Sequence, residues 1–209
     1  MADPHRVGHE LSYYPGEVNF RRADILVINK VDTAPPEAVD AIRRSSVRVN
    51  PSATIIETES KVIVKDPETI RGKRVLVVED GPTLTHGEMS FGAGGVAAER
   101  FGAAAQVDPR PFAVGSIETT FAKFPHLKNL LPAMGYGDAQ CHELEETINN
   151  TPCDLVLVAT PTDLTRLLHL NKPSQRVEYE IEERTQPGFR KLLEHFTSLH
   201  GIPAGTQVA

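Results

Sequence analysis

The sequence is poor in the features that mark secreted, membrane-spanning and nucleic-acid-binding proteins. It contains two cysteines, Cys141 and Cys153, in no CxxC or Cys/His spacing, so we expect free thiols and a cytoplasmic setting. No apolar run approaches the roughly 20 residues of a membrane span, and residues 1–10 hold no apolar signal-peptide core. The net charge of −6, without a basic run, argues against nucleic acids and anionic membranes as partners.

The GxxxxGK[ST] loop of P-loop nucleotide-binding proteins is also absent. The nearest approach, Gly72-Lys73-Arg74, lacks the first glycine and the hydroxyl residue that would bind Mg²⁺. The composition, with 40% hydrophobic and 24% charged residues, is nevertheless that of a globular protein. We expect a single domain over residues 1–200 and a flexible tail over residues 201–209.

Apolar strand-like runs alternate with amphipathic stretches along the chain. This alternation predicts βαβ units, and therefore an α/β fold with a mostly parallel sheet flanked by helices. The predicted strands cover residues 24–29, 53–57, 75–79, 154–159 and 176–183. One predicted helix begins near residue 36. The others cover residues 95–101, 138–149, 164–170 and 188–199.

The third predicted strand runs directly into a polar loop. Glu79 and Asp80 follow four apolar residues, at the strand end where open α/β sheets bind ligands. Their carboxylates are candidate Mg²⁺ ligands. Further along the loop, His86 suits a phosphate contact, proton transfer or metal binding, although a lone histidine usually does none of these.

A second strand end carries Asn29-Lys30-Val31-Asp32, the NKxD pattern of base recognition in GTPases. The aspartate can accept two N–H donors from a purine edge. A strand end that is simply exposed to water would account for the polar residues of this four-residue pattern equally well.

Two further loops are candidate nucleotide contacts. Gly92, Gly94 and Gly95 open a predicted helix whose N–H groups can receive a phosphate, unless the glycines only pack closely against the sheet. Thr160 and Asp163 follow the fourth predicted strand, where they can close over a base or cap the next helix.

Arg110 lies in the rigid segment Asp108-Pro109-Arg110-Pro111. A guanidinium held in one direction suits phosphate or carboxylate groups, and the alternative is a surface salt bridge with Asp108.

Seven segments of the sequence carry a family resemblance, and they cover residues 14–17, 23–32, 72–89, 92–95, 107–115, 131–140 and 159–164. Their most unusual stretches are EDGPTLTHGEM at residues 79–89, VDPRP at residues 107–111 and LPAMGYG at residues 131–137. Taken together, these segments resemble the C-terminal half of the cyclic 2,3-diphosphoglycerate synthetase family. The resemblance extends to about residue 183. It implies a cytoplasmic, archaeal-type enzyme with a P-loop kinase-like fold. Such enzymes use ATP and Mg²⁺ to close 2,3-diphosphoglycerate into an intramolecular phosphoanhydride.

The resemblance also implies roles for the residues in the matching segments. His86, Arg110 and Asp80 would be catalytic, and Glu79 and Asp80 would hold Mg²⁺. Thr83, Thr85 and Arg110 would contact the substrate. The nucleotide would be bound by Asn29, Lys30, Asp32, Gly92, Gly94, Gly95, Thr160 and Asp163.

The departure from the family is the missing phosphate-binding loop and first strand, which lie upstream of the resembling region. Without that cradle we expect little ATP turnover by this chain alone. The partner would be a separately encoded P-loop half, or a second copy of the chain. Two alternatives remain: a regulatory module that binds nucleotide without chemistry, and a GTPase-like remnant, because NKxD ordinarily favours guanine.

Overall fold

The computed structural model of the protein describes residues 1–85, 90–135, 137–185, 188–199 and 201. It has the predicted α/β architecture, in which every strand pairing of known register is parallel. The strands are β1 (Ile25–Ile28), β2 (Thr54–Val64), β3 (Arg74–Asp80), β4 (Ala105–Gln106), β5 (Leu130–Ala133), β6 (Leu155–Ala159) and β7 (Ser174–Glu183). The helices are α1 (His9–Ser12), α2 (Gly16–Arg22), α3 (Pro36–Val49), α4 (Gly81–Thr85), α5 (Ala93–Arg100), α6 (Ser116–Lys123), α7 (Asp138–Asn150) and α8 (Phe189–Leu199).

The chain divides into two compact units. The first comprises Met1–Lys61 with the described residues from Glu180 onward, and the second comprises Val62–Tyr179. Each unit has its own cluster of buried apolar side chains. The single domain over residues 1–200 stays a prediction.

Strand β3 is the centre of the second unit. It pairs with β6 along one edge and with β4 and β5 along the other, and β6 in turn pairs with β7. All four residues from Val75 to Val78 are completely buried. Such burial explains the continuous apolar run, because a parallel strand covered on both faces has no solvent-facing positions.

In the first unit, β1 pairs with β2 and with the first residues of the chain. The N–H of Ala2 donates to the carbonyl of Val27 (2.7 Å), and the N–H of Asn29 donates to the carbonyl of Ala2 (3.1 Å). Helix α3 buries Val39 and Ile42 in the apolar cluster that contains Leu26 and Ile28. The N-terminal segment is thereby fixed beside the carboxyl end of β1.

Two of the predicted elements differ from the expectation in extent or type, and strands β4 and β5 were not predicted from the sequence. Strand β2 continues to Val64, because Val62 and Val64 alternate with more exposed neighbours and are both buried. The helix predicted over residues 164–170 is a single 3-10 turn, Leu164–Arg166. Leu164 and Leu168 are buried at helical spacing, but the side chain of Asn149 then bonds the carbonyl of His169 (3.0 Å) and the N–H of Asn171 (2.9 Å). Those bonds replace the next helical turn.

Candidate functional site

The carboxyl end of β3 lies at a topological switch point of the second unit. After β3 the chain adds β4 and β5 along one edge and then returns to add β6 along the other. Open α/β sheets bind ligands in the crevice that such a reversal leaves at the strand ends. The sequence prediction of a site after Val78 therefore falls at the expected place in the fold.

Glu79 is the most unusual residue at this switch point. Its side chain is buried, and Oε1 accepts hydrogen bonds from the backbone N–H groups of Gly94 (2.8 Å) and Gly95 (3.1 Å). Those N–H groups belong to the first turn of α5, which has no hydrogen-bond partners within the helix. The carboxyl group of Glu79 thus occupies the position that an anionic ligand takes at a helix N-terminus.

The glycines of this turn are required by close packing. A Cβ atom at Gly92 would lie 2.3 Å from Oε2 of Glu79, and one at Gly94 would lie 2.7 Å from Cγ1 of Val77. Close packing, one of the two roles that the sequence left open, is seen in this structure, and phosphate binding by these glycines stays a prediction. Binding of a phosphate to the N–H groups of Gly94 and Gly95 would first require the Glu79 side chain to move away.

The environment of Glu79 changes its protonation. Burial raises the pKa of this carboxyl group from 4.5 to about 7, against the opposing effect of the two backbone hydrogen bonds, and the charge of Asp80 raises it slightly further. Glu79 consequently exchanges its proton near neutral pH, where an ordinary glutamate is fully ionised.

The two carboxylates predicted to bind Mg²⁺ are not equivalent. Consecutive residues of a strand point to opposite faces of the sheet, so Glu79 and Asp80 diverge at the end of β3. Within the described ranges, no three His, Cys, Asp or Glu side chains group closely enough to hold a metal ion. Mg²⁺ commonly takes one or two carboxylates plus substrate phosphates and waters, and Asp80 suits that arrangement better than the protonatable Glu79.

The remaining residues predicted in this loop lie in or beyond α4. Thr85 is buried and its hydroxyl donates to the carbonyl of Gly81 (2.9 Å). Thr83 lies within the same helix, but its side chain is outside the described part of the structure. His86 and Glu88 also lie outside the described residues.

Thr160 and Asp163 form a capped turn after β6. The hydroxyl of Thr160 donates to the carbonyl of Thr162 (2.6 Å), while Asp163 accepts from the N–H and the hydroxyl of Thr165 (3.2 and 2.6 Å). Asp163 therefore caps the 3-10 turn that begins at Leu164, which is one of the two roles considered from the sequence. Base recognition by these residues stays a prediction.

Arg110 pairs with Asp108 at the protein surface. Its Nε and Nη2 atoms lie 2.9 and 2.6 Å from the two carboxylate oxygens. The pair lowers the pKa of Asp108, mainly through the side-chain hydrogen bond. This is the surface salt bridge that the sequence left as an alternative, and an exposed pair can open to receive a ligand at little cost.

The NKVD residues lie at the carboxyl end of β1, in the first unit. Asn29 accepts from the hydroxyl of Thr58 (2.9 Å), and one oxygen of Asp32 accepts from the N–H of Ser60 at the longer distance of 3.3 Å. Lys30 has a left-handed backbone, with φ of 63°, and its Nζ atom donates to Asp3 (2.8 Å). Asn29 and Lys30 thus hold the loop after β1 in place through their side-chain bonds.

Asp3 is a residue of this cluster that the sequence did not indicate. Burial alone would raise the pKa of Asp3, but the hydrogen bond and charge of Lys30 outweigh it and hold that pKa below its usual range. No local motif marks Asp3, because 27 positions separate it from Lys30 and only the pairing of Ala2 with β1 brings the two together. A pocket in the second unit, lined by Glu99, His126 and Lys128, was missed for a similar reason.

The comparisons with known proteins give a similarity to one part of a longer protein. No family profile matches this sequence, and no helix in the described ranges is long and apolar enough to cross a membrane. The chain is similar to the arginine synthetase ArcE of Thermococcus kodakarensis, with 58% identity over 196 residues. The matched region covers 94% of this chain and 44% of that protein, so the chain spans less than half the length of the relative. The relative is named as a synthetase, but its name does not refer to cyclic 2,3-diphosphoglycerate.

Proposed function

We propose that this chain forms part of an ATP-dependent synthetase whose product is arginine. The observation that carries this proposal is the 58% identity to a named arginine synthetase over 94% of the chain. Conservation of more than half of all residues over nearly the whole chain supports a shared reaction as well as a shared fold. The activity of the complete relative, of which this chain matches 44%, is extended to this chain as a proposal.

The switch point at β3 supports the use of a nucleotide. In this proposal Asp80 contributes to binding Mg²⁺, which would offset negative charge on the nucleotide phosphates. Glu79 fixes the first turn of α5 through Gly94 and Gly95 and holds a proton next to that site. His86 and the hydroxyl groups of Thr83 and Thr85 follow directly in the sequence and are proposed to contact the reacting groups.

The second candidate function is synthesis of cyclic 2,3-diphosphoglycerate, and the motifs EDGPTLTHGEM, VDPRP and LPAMGYG favour it. Arg110 would then bind a phosphate of 2,3-diphosphoglycerate after leaving Asp108. Both candidates are ATP-driven condensations, in which the protein must position two reactants and stabilise negative charge. They differ in the substrate: an amino acid carries an ammonium group, whereas 2,3-diphosphoglycerate is purely anionic.

We propose that the end of β1 contributes to binding the nucleotide base through Asp32, with Asn29 and Lys30 as supports. Because the pattern usually selects guanine and the proposed cosubstrate is ATP, the base preference discriminates between a synthetase and a GTPase-like remnant. A preference for GDP over ADP would favour the remnant.

The proposed synthetase needs a phosphate-binding loop, and this sequence contains no GxxxxGK[ST] motif. We propose that the loop is supplied by another segment of the synthetase, either on a separately encoded P-loop half or through self-association. We further propose a cytoplasmic location, where ATP and reduced thiols are available.

Titration calorimetry of the purified chain tests these proposals directly. L-arginine, ADP, GDP and 2,3-diphosphoglycerate are titrated separately in the presence of Mg²⁺. Binding of arginine and ADP is the expected result. Binding of 2,3-diphosphoglycerate without arginine would replace the first candidate by the second, and binding of GDP alone would reject both synthetases.

Calorimetry of two variants tests whether Asp80 contributes to the proposed Mg²⁺ site. Asp80→Asn is expected to weaken ADP binding in Mg²⁺ while leaving binding without Mg²⁺ unchanged, because it removes one anionic oxygen ligand. Asp66→Asn, an exposed aspartate in the turn after β2, makes the same change away from the strand ends and serves as the control.

A further inference from the structure

A pocket of about 550 Å³ lies beside α5 in the second unit. One wall is apolar and includes Phe91, Val96 and Leu130. Gly95 also lines the pocket, and its N–H group donates to Glu79 (3.1 Å). The first turn of α5 thus connects this pocket to the switch-point site.

The pocket forms where the edge of the sheet is interrupted. Gln106 ends β4 opposite Val75, and Leu130 begins β5 opposite Val77, so both strands pair with β3 along the same edge. The gap between them is bordered by α5, which packs against β3 and β4. Pockets of this size commonly bind small molecules through an apolar lining and a few polar groups.

The charged groups of the pocket have opposite signs, and neither has a charged partner among the described residues. Glu99 and Lys128 both line it and are both exposed. Neither forms a salt bridge or a side-chain hydrogen bond with any residue in the described part of the chain. No described side chain therefore competes with a ligand for either charge.

The neutral polar groups of the pocket add hydrogen-bonding capacity. The side-chain amides of Gln106 and Asn129 also line it, and neither bonds to another described residue. The Nε2 atom of His126 lies 3.1 Å from the carbonyl of Leu84, which can only accept, so this bond requires a proton on Nε2. That bond orients the imidazole ring at the edge of the pocket.

We infer that this pocket binds a zwitterionic α-amino acid, with the ammonium group on Glu99, the carboxylate on Lys128 and the side chain along the apolar wall. The inference rests on the proposed arginine-forming function and names the substrate site for it. A bisphosphorylated acid fits the same lining poorly, because one ammonium group faces several negative charges and Glu99 repels them.

Calorimetry with three ligands tests the orientation. L-arginine carries both charged groups, agmatine lacks the carboxylate and N-acetyl-L-arginine lacks the ammonium group. We expect Glu99→Gln and Lys128→Gln each to weaken arginine binding by about tenfold, the usual effect of losing one charge-assisted hydrogen bond. Lys128→Gln should leave agmatine binding unchanged, and Glu99→Gln should leave N-acetyl-L-arginine binding unchanged.

Matched controls make the same changes of charge outside the pocket. Glu118 and Lys73 are exposed residues of the same unit and, like the pocket pair, form no salt bridge with a described residue. Glu118→Gln and Lys73→Gln are expected to bind arginine like the unmodified chain. If they weaken binding as much as the pocket variants, net charge explains the effect and the pocket assignment is wrong.

The remaining outcomes separate this inference from the proposed function. Arginine binding that is insensitive to Glu99→Gln and Lys128→Gln would keep the function and overturn the pocket. Absence of arginine binding, with ADP binding intact, would overturn the pocket and the arginine product together but keep a nucleotide-binding protein. Binding of 2,3-diphosphoglycerate that Lys128→Gln weakens and Glu99→Gln strengthens would assign the pocket to an anion instead.

Discussion

The carboxyl ends of β1 and β3 have the same sequence pattern, an apolar strand followed directly by polar residues, but opposite electrostatics. At the end of β1, Lys30 donates to Asp3, and its charge holds the pKa of Asp3 below its usual range despite burial. At the end of β3, the partners of Glu79 among the described residues are backbone N–H groups, and its pKa is raised to about 7. The sequence pattern therefore locates polar strand ends without distinguishing a compensated charge from a buried titratable group.

Burial of the preceding strand explains the difference. Val75–Val78 are completely buried, so the next inward side chain, Glu79, enters a dry environment. Strand β1 alternates between half-buried and buried residues, and Lys30, which follows it, is partly exposed and pairs with the partly exposed Asp3. Tests of this comparison alter the charge or the packing at one strand end at a time.

The largest expected effect is the pH dependence that Glu79 imposes on stability. Because its folded-state pKa is raised from 4.5 to about 7, the folded protein holds this proton more tightly than the unfolded chain does. The associated stability is fully present below the unfolded pKa of 4.5 and is lost as the pH rises through about 7. A shift of this size corresponds to about 3 kcal/mol in the free energy of unfolding.

Glu79→Gln mimics the protonated carboxyl group and should remove this pH dependence. Urea unfolding at a series of pH values between 4.5 and about 8 measures the difference between the two proteins. The unmodified chain should lose stability relative to the variant as the pH rises. Parallel curves would mean that Glu79 is already ionised below neutrality.

Packing around the Glu79 carboxyl group gives the next largest effect. Gly94→Ala would place Cβ 2.7 Å from Cγ1 of Val77, and such overpacking costs about 1–3 kcal/mol. Gly95→Ala is the matched control, since its Cβ would lie 3.9 Å from Gln106 and Leu130. There a helical alanine should be neutral or stabilise by up to about 1 kcal/mol.

Urea unfolding of Gly94→Ala and Gly95→Ala measures the free energy of unfolding of each variant and tests this prediction. Equal stabilities would show that α5 can shift away from β3, and that Gly94 is not fixed by close approach. A destabilised Gly95→Ala variant would show that the N–H bonds to Glu79 depend on the backbone conformation of the glycine itself.

Much of the fold was predictable because its strands are strongly apolar. β1, β3 and β6 match the predicted strands within one or two residues, since continuous apolar runs between polar residues have few other interpretations. β4, with only two residues, carries no such pattern. β5 contains Pro132 and precedes a glycine-rich segment, so local turn signals concealed a completely buried strand.

The candidate site was predictable in position but not in its contacts. The place of Glu79 and Asp80 at a strand end follows from the sequence, whereas the burial that protonates Glu79 depends on α5, fourteen residues further along the chain. Asp3 and the pocket residues Glu99 and Lys128 come from separate elements that only the folded chain brings together. Local motifs contain no information on such contacts.

At the end of β1, the backbone strain and the ion pair of Lys30 can be separated. Lys30→Ala removes the partly exposed pair with Asp3, which is worth up to about 1 kcal/mol, and keeps the left-handed backbone. Lys30→Gly removes the same ion pair, but glycine adopts a left-handed backbone without steric strain. The glycine variant should therefore be more stable than Lys30→Ala by roughly 1 kcal/mol. Thermal unfolding of both variants measures the difference. A glycine variant that is no better than alanine would show that φ at position 30 relaxes once the ion pair is lost.

The smallest expected effect is that of Arg110 on stability, which is why this residue can report on binding. Arg110 and Arg71 each pair with a nearby acidic side chain at the surface, Asp108 and Glu68 respectively. Arg110→Ala and Arg71→Ala should therefore leave the unfolding midpoint nearly unchanged, since exposed ion pairs contribute little. If Arg110 binds a substrate or nucleotide phosphate, calorimetry should show weaker binding in Arg110→Ala alone. Equal binding by the two variants would show that Arg110 forms the salt bridge with Asp108 and does not contribute to ligand binding. A lower unfolding midpoint in Arg110→Ala alone would show that the fold of the Asp108–Pro111 segment depends on this salt bridge.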